Sequence, residues 1–301
     1  SPLPSQVGQT NSLPSAPRGK CMSSKPIGFV GLGNMGGRIA RRLVDAGQAV
    51  LGMDSVSGRA EACGAQPARS LAQVAEFCEV IFLSLLAHVR TGQVVVDLST
   101  AAVQSTQRIA RQFADLGAKF IDAGISGGAA AAEKGTLTLM VGGDKAAVDQ
   151  LSPLFKPFSA KVVYMGESGA GHTTKLLNNF LNAVSLAATA EVMVAGKKAG
   201  LDLHQLLDVL NSSSGVNFAT LNRFPHIVDG DYLEGGLTGK LMTKDVVLYV
   251  DLVHALGITS LNAAGPMACF GLGTALGYGD QISNRVVDAI GDVSGGIRLK
   301  S

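Results

Sequence analysis

The stretch Pro26-Ile-Gly-Phe-Val-Gly31-Leu-Gly33-Asn-Met-Gly36 decides how this chain of 301 residues folds. Its apolar run, Ile27 to Val30, has the length and content of a buried strand. Gly31, Gly33 and Gly36 then fall on the G-x-G-x-x-G spacing, with Leu32, Asn34 and Met35 between them. Each glycine has its own task there: a tight turn, a backbone that a pyrophosphate can approach, and close packing of helix on strand. A helical pattern follows, apolar at Ile39, Ala40, Leu43 and Val44 with Arg38, Arg41 and Arg42 between, and it stops at Gly47. Its first N–H groups and positive dipole end would face phosphates. A second strand, Ala49 to Met53, ends on Asp54, about 20 residues past the glycines, where a carboxylate accepts from ribose hydroxyls. Strand, glycine turn, helix, strand and acid together predict a dinucleotide site made of Gly31, Leu32, Gly33, Asn34, Met35, Gly36 and Asp54. The charge of Asp54 repels the 2′-phosphate of NADP, so NAD should bind at least about tenfold more tightly.

Composition narrows the class. The length suits one large domain or two ordinary ones, with ample chain to bury a core. A net charge of +2, 16% charged residues and no Lys/Arg cluster leave no footprint for nucleic acid. Cys21, Cys63, Cys78 and Cys269 show no paired spacing and read as reduced thiols of a cytoplasmic protein. Apolar residues make up 47%, yet no run approaches the roughly 18 residues of a membrane span. The Ala-, Val- and Leu-rich stretch after Asn179 is interrupted by Glu191, Lys197 and Lys198. The histidines at 88, 172, 204, 226 and 254 have no ligand spacing, so no metal is expected. The first 25 residues, dominated by Ser, Pro, Gly and Gln, read as a disordered tail, with Met22 a natural initiator. They carry neither the apolar core of a signal peptide nor the repeated arginines of a transit peptide.

From Gly64 to Tyr164 short strands and helices alternate. Strands are expected at Val80–Leu85, Val94–Leu98, Lys119–Ile121, Leu137–Val141 and Val162–Tyr164, with helices Leu71–Phe77, Ser105–Leu116 and Lys145–Leu154 between them. That order means a mostly parallel, doubly wound sheet covered on both faces. One connection is too short. Only Leu86 to Gln93 separates two expected parallel strands, where a crossover takes about a dozen residues. Residues are therefore expected to be missing between Leu85 and Gly92, leaving two successive residues separated by far more than the roughly 3.8 Å of a trans peptide. The link from Asp54 to Gly64 also looks short for a helix.

After Tyr164, Gly166-Glu-Ser-Gly-Ala-Gly171 reads as a hinge, and helical spacing takes over from His172. Leu176, Phe180, Ala183, Val184 and Ala187 mark one face of a long helix ended by Gly200. Further helices are expected at about 203–210, 240–256, 261–276 and 280–290. The fold class is thus α/β, a Rossmann-type domain over residues 26–166 followed by an all-helical domain over 167–301. The long Ala-rich helix has few charges to leave in water, so a homodimer or homotetramer joined through helical domains is expected.

Five motifs in order carry a wider resemblance: Gly31-Leu-Gly-Asn-Met-Gly36, Asp97-Leu-Ser-Thr100, Asp122-Ala-Gly-Ile-Ser-Gly-Gly128, Gly169-Ala-Gly-His-Thr-Thr-Lys175-Leu-Leu-Asn-Asn179 and Lys244-Asp245. Over about residues 26 to 290 the chain resembles the β-hydroxyacid dehydrogenase family, which includes 3-hydroxyisobutyrate dehydrogenase, tartronate semialdehyde reductase and threonate dehydrogenase. The resemblance implies hydride transfer between NAD and a small 3-hydroxy acid or its semialdehyde. It implies Lys175 as acid/base, Asn179 as the amide that orients substrate, and Ser126-Gly127-Gly128 as a cradle for the substrate carboxylate. Thr100 matches a position on the nicotinamide side of the cofactor, and Lys244 one that closes over the site.

The chemistry asks for these residue types on its own account. Hydride leaving a carbinol carbon requires removal of the hydroxyl proton by a base within hydrogen-bond reach. A lysine serves if burial and nearby cations bring it toward neutrality. His172 is expected to touch cofactor or solvent rather than act as a second base. Three departures stand out: a proline usual near Leu86 is missing, Ile125 replaces valine, and Val216-Asn-Phe-Ala-Thr-Leu-Asn222 lacks the tryptophan of hydroxyisobutyrate enzymes. A non-catalytic dinucleotide-binding relative and an imine reductase of the same architecture are the alternatives.

Overall fold

The computed structural model describes residues 25–83 and 90–300. The proposed disordered tail and the expected break near Leu86 lie almost wholly outside them. The chain divides into two compact units, one ending at Lys175 and one beginning at Leu176.

The first unit is an eight-stranded sheet in the order β3-β2-β1-β4-β5-β6-β7-β8. Ile27–Val30 is β1, Gly36–Asp45 α1, Val50–Met53 β2, Arg59–Ala62 α2 and Gln66–Pro67 β3. Leu71–Phe77 is α3, Val80–Leu83 β4, Val94–Asp97 β5 and Val103–Asp115 α4. Lys119–Ser126 is β6, Gly128–Lys134 α5, Leu137–Gly142 β7, Lys145–Phe155 α6 and Ser159–Gly166 β8. All neighbours pair in parallel except β6 with β7, which is antiparallel. The fold class agrees with the sequence reading. The short turn α2, the two-residue β3 and the glycine-started α5 were not anticipated, since each is too brief to build a hydrophobic period.

Alternation along the strands divides the core in two, because successive side chains leave a strand on opposite faces. Phe29, Phe82, Val96 and Ile121 pack with α1 and α6 on one side, where Phe82 meets Phe29, Phe155 and Phe158. Val30, Ile81, Val95 and Phe120 pack with α3 and α4 on the other, where Phe113 and Phe120 meet edge to face.

β4 and β5 are parallel neighbours, Val80 beside Val94 and Leu83 beside Asp97. The far end of their connection closes the C-terminus of α3. Arg90 Nε donates to Ala75 O at 2.7 Å, and Gln93 Nε2 donates to Ala75 O at 2.5 Å and Cys78 O at 2.8 Å. These bonds occupy helix-end carbonyls that have no partner inside the helix.

The second unit is helical. Ala170–Lys198 is α7, Leu203–Asn211 α8, Phe218–Asn222 α9, Phe224–Ile227 α10, Gly239–Ala255 α11, Ala264–Ala275 α12 and Val286–Val293 α13, the last preceded by a 3₁₀ turn at Ser283–Arg285. Phe180, Ala183, Ala187, Ala190 and Val194 recur at helical intervals on α7 and pack with Met242, Val246 and Phe270. The Phe180 and Tyr249 rings stack 3.7 Å apart. The Ser212–Gly215 stretch is a turn between α8 and α9, and Ser212 Oγ donates back to Asp208 O at 2.9 Å.

The boundary between the units lies nine residues later than the expected one at 166/167, inside α7. The cause is local. Asp122, fully buried on β6, accepts from Gly169 N–H at 2.7 Å and His172 N–H at 2.8 Å, which fastens the first turn of α7 to the sheet. The stretch read as a hinge and the first turn of α7 thus belong to the first unit.

No helix among the described residues is long and apolar enough to cross a membrane. Cys63, Cys78 and Cys269 are buried and unpaired, and burial pushes the thiols of Cys78 and Cys269 up to about 11.

Candidate active site

The glycine turn has the form a dinucleotide needs. Gly31 has φ of 91°, in the left-handed region. A methyl group on Gly36 would overlap the carbonyl oxygen of Gly31, so only glycine lets α1 start against β1. Gly33 differs: a Cβ there would have only Arg59 Nη1 near it, at 3.9 Å. Packing therefore does not require this glycine, and the open space is what a pyrophosphate at the turn would use. No side chain caps α1 at Met35 and no acid stands in its first turn, so no protein anion fills the helix start, although Gly37 N–H already donates to Gly33 O at 2.9 Å.

Asp54 follows β2. Leu32 N–H donates to its Oδ2 at 2.6 Å and Val56 N–H to its Oδ1 at 2.8 Å, while Arg59 Nη1 lies 3.0 Å from Oδ1. The Val56 N–H holds this carboxyl below its ordinary value of 3.8 against the effect of burial, helped by the Leu32 N–H and Arg59. Asp54 thus fixes the turn it was expected to serve. Thr100 follows β5 in the loop before α4.

On β6, Asp122, Gly124 and Ser126 alternate onto one face. Each meets the chain entering α7 or the space beyond it. Asp122 holds the helix start. A Cβ on Gly124 would lie 2.6 Å from Lys175 Cβ and 3.1 Å from Gly171 O, so the missing side chain makes room for Lys175. Ser126, two residues on, is partly exposed and leads into Gly127 and Gly128, with φ of 124° and 69°. Nothing lies within 4 Å of a Cβ at Gly128. The strand thereby brings Lys175 and the Ser126–Gly128 loop to one part of the first unit.

His172 corrects an expectation. It is fully buried, with Nδ1 2.7 Å from Thr106 Oγ1 and Nε2 4.0 Å from Asp97 Oδ2. It does not reach solvent. Its glycine-flanked place at a strand-to-helix turn hid this, because the turn is enclosed by α4 and the ends of β5 and β6.

In the second unit Asp245 gathers the other candidates. Asn179 Nδ2 donates to Asp245 Oδ2 at 2.5 Å, and Lys244 Nζ lies 2.9 Å from Asp245 Oδ1, close as an ion pair but off the line of a directed hydrogen bond. Asp245 is buried, so Lys244-Asp245 is more than a surface ion pair. Asn179 is buried and Asn178 exposed, one neighbour facing the core and the other away from it. Asp122 and Asp245 had no assigned role in the sequence. Their signal was an acid placed in an otherwise apolar face, visible in Phe120-x-Asp122-x-Gly124 and in Asp245-Val246 of α11.

The comparisons agree with this architecture. Residues 26–87 and 79–166 match the NAD binding domain of 6-phosphogluconate dehydrogenase in two pieces. Residues 169–289 match the model described as NAD-binding of NADP-dependent 3-hydroxyisobutyrate dehydrogenase. The NAD-dependent L-serine dehydrogenase of Pseudomonas aeruginosa is 32% identical over 283 residues, 85% of this chain and 95% of that one. The mitochondrial 3-hydroxyisobutyrate dehydrogenase of Rattus norvegicus is 35% identical, covering 77% of each chain. The solved 3-hydroxyisobutyrate dehydrogenase of Mycobacterium tuberculosis with L-serine superposes with a TM-score of 0.80 at 29% identity, covering 88% of this chain and 98% of that one. Fold and site define a dinucleotide-dependent oxidoreductase. The chain belongs to the β-hydroxyacid dehydrogenase family, and its cofactor is NAD.

One difference from the relatives is internal. The 283 aligned residues of the serine dehydrogenase exceed the 85% of this 301-residue chain that they cover, so that enzyme carries residues this chain lacks. The two matched pieces of the first unit overlap at 79–87.

Proposed function

We propose that this protein transfers a hydride between NAD and a small 3-hydroxy acid, or the matching semialdehyde, with Lys175 as general acid/base. The observation that carries the reading is the seating of Lys175 over Gly124 on the strand that ends in Ser126-Gly127-Gly128. A base and an anion-accepting loop on one strand suit a substrate with a hydroxyl beside a carboxylate.

NAD, when bound, supplies the hydride acceptor. The glycine turn and the open N-terminus of α1 would hold its pyrophosphate, Asp54 its ribose, and Thr100 its nicotinamide side. Ser126 Oγ and the N–H groups of Gly127 and Gly128 hold the substrate carboxylate. Lys175 Nζ takes the hydroxyl proton as the carbinol hydrogen leaves, and returns it in the reverse direction. Asn179, one helical turn after Lys175, orients the substrate oxygen, and Asp245 fixes the asparagine amide for that task. Lys244 pairs with the same Asp245. The L-serine dehydrogenase and 3-hydroxyisobutyrate dehydrogenase relatives favour a three- or four-carbon acid.

The test is a panel of small hydroxy acids and semialdehydes with NAD, run on the parent and on Lys175→Ala. Turnover should fall by at least about 10² in the variant while the Kd for NAD stays nearly unchanged. Retained activity would move the acid/base role, with Lys244 next in line. The few residues between β4 and β5 favour a second reading, a dinucleotide-binding relative without turnover, and activity on any member of the panel eliminates it.

The protein works as a homo-oligomer in this reading. Leu177, Leu181 and Val192 form an exposed apolar stripe on α7, at 44%, 68% and 44% accessibility. Light scattering at micromolar concentration should give a dimer or tetramer, and a clean monomer would count against it.

A further inference from the structure

Asp54 alone predicts strong exclusion of NADP, but it does not stand alone. Arg59, the first residue of α2, places Nη1 3.0 Å from Asp54 Oδ1. The same nitrogen is the nearest atom to the open space at Gly33. The guanidinium therefore spans from the acid that reads the ribose to the glycine that a pyrophosphate would approach. The two partners are unequally covered, with side-chain exposures of 44% for Arg59 and 6% for Asp54. Asp54 is further held by the N–H groups of Leu32 and Val56, so it is the fixed member of the pair and Arg59 the movable one.

The surroundings favour an additional anion. Arg59 lines a cleft of about 520 Å³ together with Gly33, Asn34, Arg38, Arg41 and Glu133. Each of these cations has an acidic neighbour: Arg41 pairs with Asp45 at 2.9 Å, Arg38 lies 3.8 Å from Glu133, and Arg59 pairs with Asp54. Of the three, Arg59 is the one beside the acid that would read the ribose, and guanidinium binds phosphate oxygens with paired, charge-assisted hydrogen bonds.

We propose that Arg59 sets the discrimination between NAD and NADP. It pairs with Asp54 in the free and NAD-bound protein and turns to the 2′-phosphate when NADP binds. NADP is then a second, weaker cofactor rather than an excluded one. This rests on the reading of the glycine turn as the dinucleotide site. It revises the expected preference, because a carboxylate already paired with a cation repels a phosphate less than a bare one.

The test is calorimetric titration of the full chain with NAD and, separately, with NADP. For the parent protein the Kd for NADP should be no more than about tenfold above that for NAD. In Arg59→Ala the NADP Kd should rise at least about tenfold while the NAD Kd changes less than about threefold. Asp54→Asn should narrow the gap in the parent background. Equal weakening of both cofactors in Arg59→Ala would make Arg59 an organiser of the turn and overturn the proposal, as would no change in either. NADP binding too weak to detect in the parent, with NAD bound normally, overturns it while leaving the dinucleotide site standing. Failure of both cofactors to bind the parent defeats the reading of the site itself.

Discussion

The chain uses one local design twice, with opposite results. At Gly31–Gly36 and again at Gly166–Gly171 a glycine-rich turn leads from a strand into a helix, and an aspartate from elsewhere in the sheet region accepts backbone N–H groups of that turn. Asp54 takes Leu32 N–H at the first turn, and Asp122 takes Gly169 and His172 N–H at the second. The difference is where the carboxylate sits. Asp54 lies beside its turn and takes no N–H of α1, whereas Asp122 reaches under the start of α7. An open helix N-terminus is an anion site, and one filled by the protein's own anion is a structural joint. The glycine count cannot tell these apart. The position of the acid does.

The largest effects should come from breaking the joint. An alanine methyl at position 171 would collide with the backbone oxygens of Asp122 and Met140, and neither can swing away. Gly171→Ala should cost about 3 kcal/mol or more, the upper end for overpacking. Asp122→Ala leaves two buried N–H groups unpaired, at about 1–3 kcal/mol each, so about 2–6 kcal/mol in all. Urea unfolding measures both. A loss below about 1 kcal/mol in either variant would mean that α7 is held by other contacts and that the joint is only apparent.

The matching change at the open turn should separate folding from binding. Gly33 has free space where a Cβ would go, so Gly33→Ala should unfold at nearly the parent's denaturant midpoint. The methyl would occupy the approach of the pyrophosphate, and the NAD Kd should rise at least about tenfold, or 1.4 kcal/mol. A stable variant with unaltered affinity would show that the cofactor backbone does not come near this residue. An unstable one would make both turns structural and erase the comparison.

Most of the fold could be read in advance because its elements are long enough to repeat. β1, α1, α3 and the face of α7 formed by Leu176, Phe180 and Ala183 show their periods plainly. The first turn was legible too, since strand, three glycines, helix and acid are all local. The second was not. Its acid lies 47 residues from Gly169, and nothing in Gly166-Glu-Ser-Gly-Ala-Gly171 itself says that β6 will pass beneath it. The same distance hid Asp245, 66 residues from the Asn179 amide that it holds, and Thr106, 66 residues before His172. A sequence names the groups that do chemistry by motif; the groups that hold them are brought together only by the sheet.

The smallest effect is in the pH dependence of stability, and it tests whether Asp54 acts as a fastening as well as a reader. Its carboxyl is held below 3.8, first by the Val56 N–H against the cost of burial, then by the Leu32 N–H and Arg59. A carboxyl that is more acidic in the folded state releases its proton more readily there than in the unfolded chain. Its contribution is therefore fully present above the ordinary carboxylate value and drains away as pH falls through the lowered one. Asp54→Asn cannot ionise, so the parent's advantage over it should be constant at about pH 5 and above and should shrink below about pH 4. Urea unfolding of the two proteins across that range, without cofactor, isolates this carboxyl, because every other acid titrates in both. A gap that stays constant down to pH 3 would mean that the N–H groups of Leu32 and Val56 hold the neutral side chain as well as the charged one. The turn would then be fastened by hydrogen-bond geometry alone, as neutral acceptors can do, and only the reading of the ribose would remain for the charge.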